Sequence, residues 1–305
     1  MTKIALLFPG QGAQFVGMGQ SLYTESPSAK AVFEKAAAIY GEKFLETLFS
    51  GPEEELKRTD VTQPAIYTVS LAAFATILEK RPELEIVGAG GLSLGEYSAL
   101  TAAGVLSFED GLELVRQRSL FMQEAGEARP GAMAAVIQLD KAKVAEICAR
   151  HENVYVANYN SPAQIVISGS PEGVKAASEE LAAAGARRVL PINVSGAFHS
   201  PFMEPAREKL LKLLEKTSWQ APKFPVVSNV LGDFYPEGAD FTTLLGRQIV
   251  ESVLWENCCR ALQKQGAELF LEVGPGNVLQ GLMKKISSEA KTLACCSVSD
   301  VLGIS

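Results

Sequence analysis

Apolar residues recur along this chain in two rhythms. Short unbroken runs that stop at glycine or proline mark strands buried on both faces, whereas apolar positions three and four apart mark helices packed on one side. Lys3 to Phe8 is a run of the first kind, and it breaks at Pro9-Gly10 into the loop Gln11-Gly12-Ala13-Gln14. Ser28 to Tyr40 and Phe44 to Phe49 read as helices, and Gly51 to Leu56 as a loop entering an acidic helix start. Thr59 to Gln63 is expected to turn the chain, with Thr62 or Gln63 as cap and Pro64 in the first turn of a helix from Ala65 to Lys80. A second strand, Ile86-Val87-Gly88-Ala89, leads through glycines into another helix-forming stretch. Ser107 then caps a helix from Gly111 to Glu124, which carries Arg116 and Arg118.

From Gly131 the order becomes strand Ala132 to Leu139, helix Ala142 to Arg150, strands Val154 to Asn158 and Gln164 to Gly169, helix Pro171 to Ala184, and strand Arg187 to Ile192. That βαββαβ order is the split, ferredoxin-like arrangement. Helix Glu204 to Lys216, strand Phe224 to Asn229, helix Thr242 to Val250, strand Leu269 to Val273 and a helix through Lys285 follow. The expected fold class is α/β. A large α/β-hydrolase-like domain with a mostly parallel sheet, residues 1–128 and 197–305, holds an inserted ferredoxin-like small domain, residues 129–196. The joints Arg129-Pro130-Gly131 and Val194-Ser195-Gly196 are candidate hinges.

Composition narrows the function. With 305 residues, 47% hydrophobic and 21% charged, the chain can bury a core unaided. Apolar stretches such as Ala65 to Leu78 fall short of the roughly 20 residues a membrane span needs, so none is expected. Ile4 to Phe8 is too short for the apolar region of a signal peptide, and the expected location is cytoplasmic. The five cysteines are odd in number, and four form the adjacent pairs Cys258-Cys259 and Cys295-Cys296, which suit free thiols. Metal-ligand spacings are missing, so no metal is expected. A net charge of -7 argues against broad nucleic-acid binding.

The chemistry concentrates at Gly91-Leu92-Ser93-Leu94-Gly95. A Gly-x-Ser-x-Gly turn between strand and helix sets a serine at an exposed tip, where strand and helix back onto each other too closely for a Cβ. The amides of Ser93 and Leu94 lie at the start of the new helix, where unpaired N–H groups favour negative charge. The same five residues also suit a glycine-rich turn with an idle serine. The Gly10-x-Gly12 loop opens at a strand's carboxyl end and can bring Gln11 near Ser93, although it lacks the third glycine and lysine of a nucleotide loop. Only two histidines are present. His151 sits among charges at a helix end, which leaves His199, at the return from the small domain, as candidate base for Ser93 or as a loop histidine with one structural hydrogen bond.

Several stretches together resemble the malonyl-CoA:acyl carrier protein transacylase family, which includes acyltransferase domains of fatty acid and polyketide synthases. They are Phe8 to Gln14, Thr62-Gln63-Pro64-Ala65, Ser93-Leu94-Gly95-Glu96-Tyr97, Arg118 with Phe121-Met122, Asn160-Ser161-Pro162, Ala197-Phe198-His199-Ser200, Arg247-Gln248 and Glu272 to Gly276. The resemblance implies Ser93 as acylated nucleophile and His199 as base, oriented by the Gln248 backbone carbonyl. It also implies an oxyanion hole from the Gln11 and Leu94 amides, and Arg118 as anchor of the malonyl carboxylate. Phe198 and Asn160 are implied to contact substrate. One departure stands out: the family normally has histidine where this chain has Leu92.

The function so implied is malonyl transfer from malonyl-CoA to the phosphopantetheine thiol of acyl carrier protein, in fatty acid biosynthesis, with no bound cofactor. A serine esterase or thioesterase, a polyketide-pathway acyltransferase and a catalytically degraded binding relative are the alternatives. Carrier proteins of these pathways are acidic, so Arg187, Arg188, Lys284 and Lys285 are expected to form a docking patch at the mouth between the domains.

Overall fold

Two neighbouring parallel strands, Lys3–Phe8 and Glu85–Gly91, run to a common edge where Phe8 lies opposite Gly91. In the computed structural model, which describes residues 2–194 and 196–304, they belong to a four-stranded parallel sheet. Its order is Lys291–Cys295, Leu269–Val273, Lys3–Phe8 and Glu85–Gly91. Val226 adds an isolated parallel bridge to Ala89 beyond the last strand. Strand Lys3–Phe8 explains the two-sided packing: Ile4, Leu6 and Phe8 enter one core with Ile66, Val69 and Leu71. Ala5 and Leu7 point the other way, among Trp255, Cys258, Leu262 and Met283. Burial on both faces is why the strand reads as unbroken apolar sequence.

The small domain's four strands are antiparallel in the order Val154–Ser161, Gln164–Gly169, Ala132–Ile137, Arg188–Ile192. Helices Lys141–Arg150 and Pro171–Ala183 cover one face, where Ala134, Val136, Ile165 and Ile167 pack on Val144, Ile147, Val174 and Leu181. Strand alternation sends Met133 and Val166 to the opposite face, where they join the large domain's core. The crossings between domains are tight: a Cβ on Gly131 would lie 2.3 Å from the Ala197 nitrogen. The small sheet is also tied down beyond them, because Tyr159 N–H donates to Val253 O at 2.9 Å and Val253 N–H to Ala157 O at 2.8 Å. Of the second expected hinge, Ser195 lies outside the described residues.

Three expectations change. The helix assigned to Ala65 to Lys80 starts at Thr59, with Pro64 inside it. This near the amino end, proline removes a single intrahelical bond, and the Thr62 hydroxyl ties the helix start back to Leu56 O. So extended, the helix reaches 22 residues and the length and hydropathy of a membrane span, but 83% of its apolar window is buried inside the protein, as in a core helix. The strand from Phe224 to Asn229 shrinks to Val227–Ser228, paired with Asp233–Phe234. Six further elements of the described residues went unassigned: helices Gln20–Glu25, Trp255–Lys264 and Val298–Leu302, the short turn of helix Pro201–Met203, and strands Asp233–Phe234 and Lys291–Cys295.

Candidate active site

The turn after Gly91 is built as its glycines require. A Cβ on Gly91 would lie 1.9 Å from Gly95 O, and one on Gly95 would lie 2.0 Å from Phe8 O. Ser93, between them, takes φ 55 and ψ -105, a conformation that L-residues adopt only under surrounding constraint. That constraint is visible at both ends of the residue. Ser93 N–H donates to Asn229 Oδ1 at 2.7 Å, and Ser93 O accepts from Gln248 Nε2 at 2.8 Å.

The Ser93 amide is therefore committed to Asn229 and is not free to bind an oxyanion, contrary to the first reading of the turn. The Leu94 amide opens the helix Leu94–Ala102, and the Gln11 amide lies in the loop after Phe8. Neither has an acceptor among the loop and cap hydrogen bonds of the described residues, and both residues line the same cavity as Ser93.

Ser93 Oγ lies 2.8 Å from His199 Nε2, and His199 Nδ1 lies 2.8 Å from Gln248 O. A carbonyl only accepts, so Nδ1 carries the proton and Nε2 is left to accept from the Ser93 hydroxyl. Burial, with the nearby Arg118 charge second, holds the His199 pKa down at about 4, so the imidazole is neutral at physiological pH. Among the described residues, no carboxylate bonds the His199 ring to complete a triad. His199 itself adopts φ 55, on a turn that Ser200 braces by donating from Oγ to Ala197 O at 2.6 Å.

Arg118 lies on the helix Phe108–Ala128, whose start Ser107 caps by accepting from Asp110 N–H at 3.0 Å. It is fully buried. Nη1 donates to Gln63 Oε1 at 2.7 Å, and Nη2 to Ser93 Oγ at 2.9 Å and Gln248 Oε1 at 3.1 Å, while Nε meets no acceptor among the described residues. A buried guanidinium bonded to amides and a hydroxyl, with no carboxylate bonded to it among the described residues, keeps a face that favours an incoming anion. Arg116, by contrast, is surface-exposed and pairs with Glu113 at 3.6 Å.

These groups surround a cavity of about 160 Å³. The large domain lines it with Gln11, Gln63, Leu92, Ser93, Leu94, Arg118, Met122, Phe198 and His199, and the small domain with Met133, Asn158, Asn160, Val166, Ile192 and Val194. Asn160 donates from Nδ2 to Gln164 Oε1 at 3.1 Å, and its buried Oδ1 has no partner. A larger depression, about 480 Å³, lies elsewhere, along Asn257, Arg260 and Lys264.

A profile of the family described as acyl transferase domain matches residues 5–301. The chain is similar to the malonyl CoA-acyl carrier protein transacylase of Bacillus subtilis (strain 168), with 44% identity over 300 residues that cover 96% of this chain and 93% of that one. The protein of the same name from Staphylococcus aureus (strain MRSA252) is 39% identical over 307 residues, covering 99% and 98%. This chain belongs to the malonyl-CoA:acyl carrier protein transacylase family. Among solved structures, the transacylase from Xanthomonas oryzae pv. oryzae superposes with a TM-score of 0.93 at 39% identity, covering 99% of this chain and 98% of that one. A type II polyketide acyl-carrier protein complexed with its malonyl-transacylase gives 0.93 at 37% identity, with the same coverage.

Against the family pattern, Leu92 is the local departure. Its side chain lines the cavity and packs at the edge of the core around Trp255, so an apolar wall stands where the family carries an imidazole.

The expected basic patch is not brought together. Lys284 sits with Thr2, Glu268 and Lys291, where the parallel strands begin, whereas Ser93 follows the end of one. Lys285 is its neighbour in the last turn of Val278–Ile286. Arg188 stands opposite Ile137, while Ile192, at the far end of the same strand, reaches the cavity. Arg187 donates to Gln138 Oε1 at 3.2 Å.

Sequence reading assigned Gln248 only a carbonyl, and it passed over Glu96, Gln63, Asn229 and Tyr235. Gln63 and Glu96 stood inside the quoted motifs without a role. Asn229 carried a signal of its own, a polar residue closing an apolar run.

Proposed function

We propose that Ser93 is the nucleophile of a two-step malonyl transfer and that His199 is its general base and acid. The enzyme is a malonyl-CoA:acyl carrier protein S-malonyltransferase, with malonyl-CoA as donor and acyl carrier protein as acceptor, in fatty acid biosynthesis. Ser93 Oγ attacks the thioester carbonyl as its proton passes to His199 Nε2, and the C–S bond then breaks as that proton goes to the leaving CoA sulfur. In the second half the phosphopantetheine thiol gives its proton to His199 and attacks the seryl ester, and Ser93 leaves with the proton returned. The Gln11 and Leu94 amides receive the oxyanion in each half, a contribution typically worth roughly 3 to 4 kcal/mol per donor. Arg118 anchors the free malonyl carboxylate through its planar fork, with Phe198 and Asn160 completing the substrate's surroundings.

The observation that carries this reading is the buried Arg118 guanidinium, without a carboxylate partner, bonded to the serine that His199 deprotonates. Phosphopantetheine arrives on the partner, and no step draws on a bound cofactor. We place the enzyme in the cytoplasm, supported by five cysteines that are all free. Intact-protein mass after mixing with malonyl-CoA, acetyl-CoA or methylmalonyl-CoA tests the reading. A malonyl adduct that persists in water and clears on adding carrier protein is expected. Release of the acid to water without carrier would make the enzyme a thioesterase and overturn it.

A further inference from the structure

Under the strained elbow lies a carboxylate that the transfer chemistry does not use. Glu96, three residues past the nucleophile, is fully buried. Its Oε1 accepts from the Tyr235 hydroxyl and from Asn229 N–H at 3.2 Å, and its Oε2 accepts from Gln248 Nε2 at 2.7 Å. The Asn229 and Gln248 N–H groups can only donate and the Tyr235 hydroxyl is placed to donate as well, an arrangement that suits the charged carboxylate.

Two of those partners grip Ser93. Asn229 takes the Ser93 amide on Oδ1 and donates from Nδ2 to Gly91 O at 2.8 Å. Gln248 donates from Nε2 to Ser93 O, and it accepts from Arg118 on Oε1 and from His199 on its backbone carbonyl. The orientation of the Gln248 amide is fixed from both sides, because Arg118 has only donors to offer and the Glu96 carboxylate only acceptors. Protonating Oε2 would set an O–H against the Gln248 N–H. Turning the amide over would instead aim its NH2 at Arg118.

We propose that Glu96 is the positioning residue of this site: its charged carboxylate, acting through Asn229 and Gln248, holds Ser93 in its strained conformation and seats Arg118 and His199 against it. The proposal rests on the reading of Ser93 as the acylated nucleophile. It also assigns a pH dependence. The titratable groups around Glu96 are Tyr235, Arg118, Tyr97 on its own helix and Cys258 on the facing helix. Burial outweighs the hydrogen bonds and the Arg118 charge, and raises the Glu96 pKa to about 7. His199 is held at about 4. Acylation should therefore slow on acidification through neutrality as Glu96 takes up a proton, with the histidine's own loss following at lower pH.

The test is the rate of malonyl adduct formation after rapid mixing with malonyl-CoA, followed by intact mass across about pH 5 to 9, a span that brackets a limb near neutrality. In the parent the rate should rise with pH through about 7. Glu96→Gln places an amide nitrogen where the carboxylate meets Gln248 or Asn229. It should slow acylation by on the order of 10²-fold, the cost of a small misplacement of reacting groups, and abolish the neutral limb while KM moves far less, since Arg118 keeps Gln63. Tyr235→Phe removes one bond that favours the carboxylate, so it should keep the limb but move it to higher pH. This second variant touches no reacting group, and it decides the question should Glu96→Gln fail to fold. An unmoved limb in Tyr235→Phe, or parent rate and profile in Glu96→Gln, overturns the proposal. Failure of the parent to form any adduct would instead overturn the reading of Ser93.

Discussion

The domain built on the parallel sheet and the one built on the antiparallel sheet make unequal contributions to the same cavity. From the large domain come Ser93, His199, Arg118 and the amides of Gln63 and Gln248, joined by hydrogen bonds of 2.7 to 2.8 Å, with the apolar Leu92, Leu94, Met122 and Phe198 beside them. From the small domain come mostly apolar side chains, Met133, Val166, Ile192 and Val194, with Asn158 and Asn160 among them. The carboxyl ends of parallel strands, followed by helix starts, supply unpaired amides and sharp turns on which reacting groups can be aimed. An antiparallel sheet with helices on one face has another face to spare, and here that face roofs the site. The groups proposed to react and to hold the carboxylate thus come from one core, while the other adds only a roof over the acyl group, and substitutions should separate the two.

The largest effect belongs to Ser93→Ala, which should abolish the covalent adduct while a thermal melt shows the fold retained. A malonyl adduct at full stoichiometry in that variant would remove the nucleophile from the large domain's elbow. Next comes His199→Ala, expected to slow both half-reactions by roughly 10²- to 10⁴-fold, the usual cost of a lost general base. Stopped-flow mixing with malonyl-CoA, then with carrier, measures each half, and parent rates in either would show that the imidazole is not its base. Smallest is Met133→Ala in the roof. Widening an apolar wall should leave the malonyl rate near its parent value but relax selection against methylmalonyl-CoA by about 10-fold, since one methyl in such a pocket is worth roughly 1 to 3 kcal/mol. If Met133→Ala instead cuts malonyl loading as deeply as a large-domain substitution, the division between the sheets does not hold.

How far the sequence reaches follows the same division. The elbow was legible because its constraint is steric and local: Gly91 and Gly95 allow no Cβ, and that restriction is written in the residues themselves. The small domain was legible as well, since its six elements follow one another without interruption. Trp255–Lys264 was missed although Trp255, Cys258, Cys259 and Leu262 recur at helical spacing, because polar and charged residues between them hide a short stripe. The start of the Thr59–Lys80 helix was misplaced because proline was taken as a boundary, when tertiary packing of Thr62 and Gln63 carries the helix past it. The network under Ser93 was legible only as separate residues, never as a network. Asn229 and Tyr235 lie far along the chain from Glu96, and only the hairpin Val227–Phe234 folding onto the elbow brings them within bonding distance. The proposed basic patch failed for the converse reason: charge pairs seen in sequence say nothing of which end of a sheet they occupy.

The central claim, that the buried Arg118 selects the acyl group for Ser93, is tested most directly by the ratio of malonyl to acetyl loading, read by intact mass in the parent, Arg118→Ala, Arg118→Lys and Arg116→Ala. Breaking a desolvated charge pair by removing one partner typically costs about 3 to 5 kcal/mol. Arg118→Ala should therefore lose malonyl loading while acetyl loading holds or rises. Arg118→Lys keeps the charge but loses the fork and should rescue only part of the ratio, and Arg116→Ala, on the solvent side of the same helix, should match the parent. An unchanged malonyl-over-acetyl preference in Arg118→Ala would contradict the account.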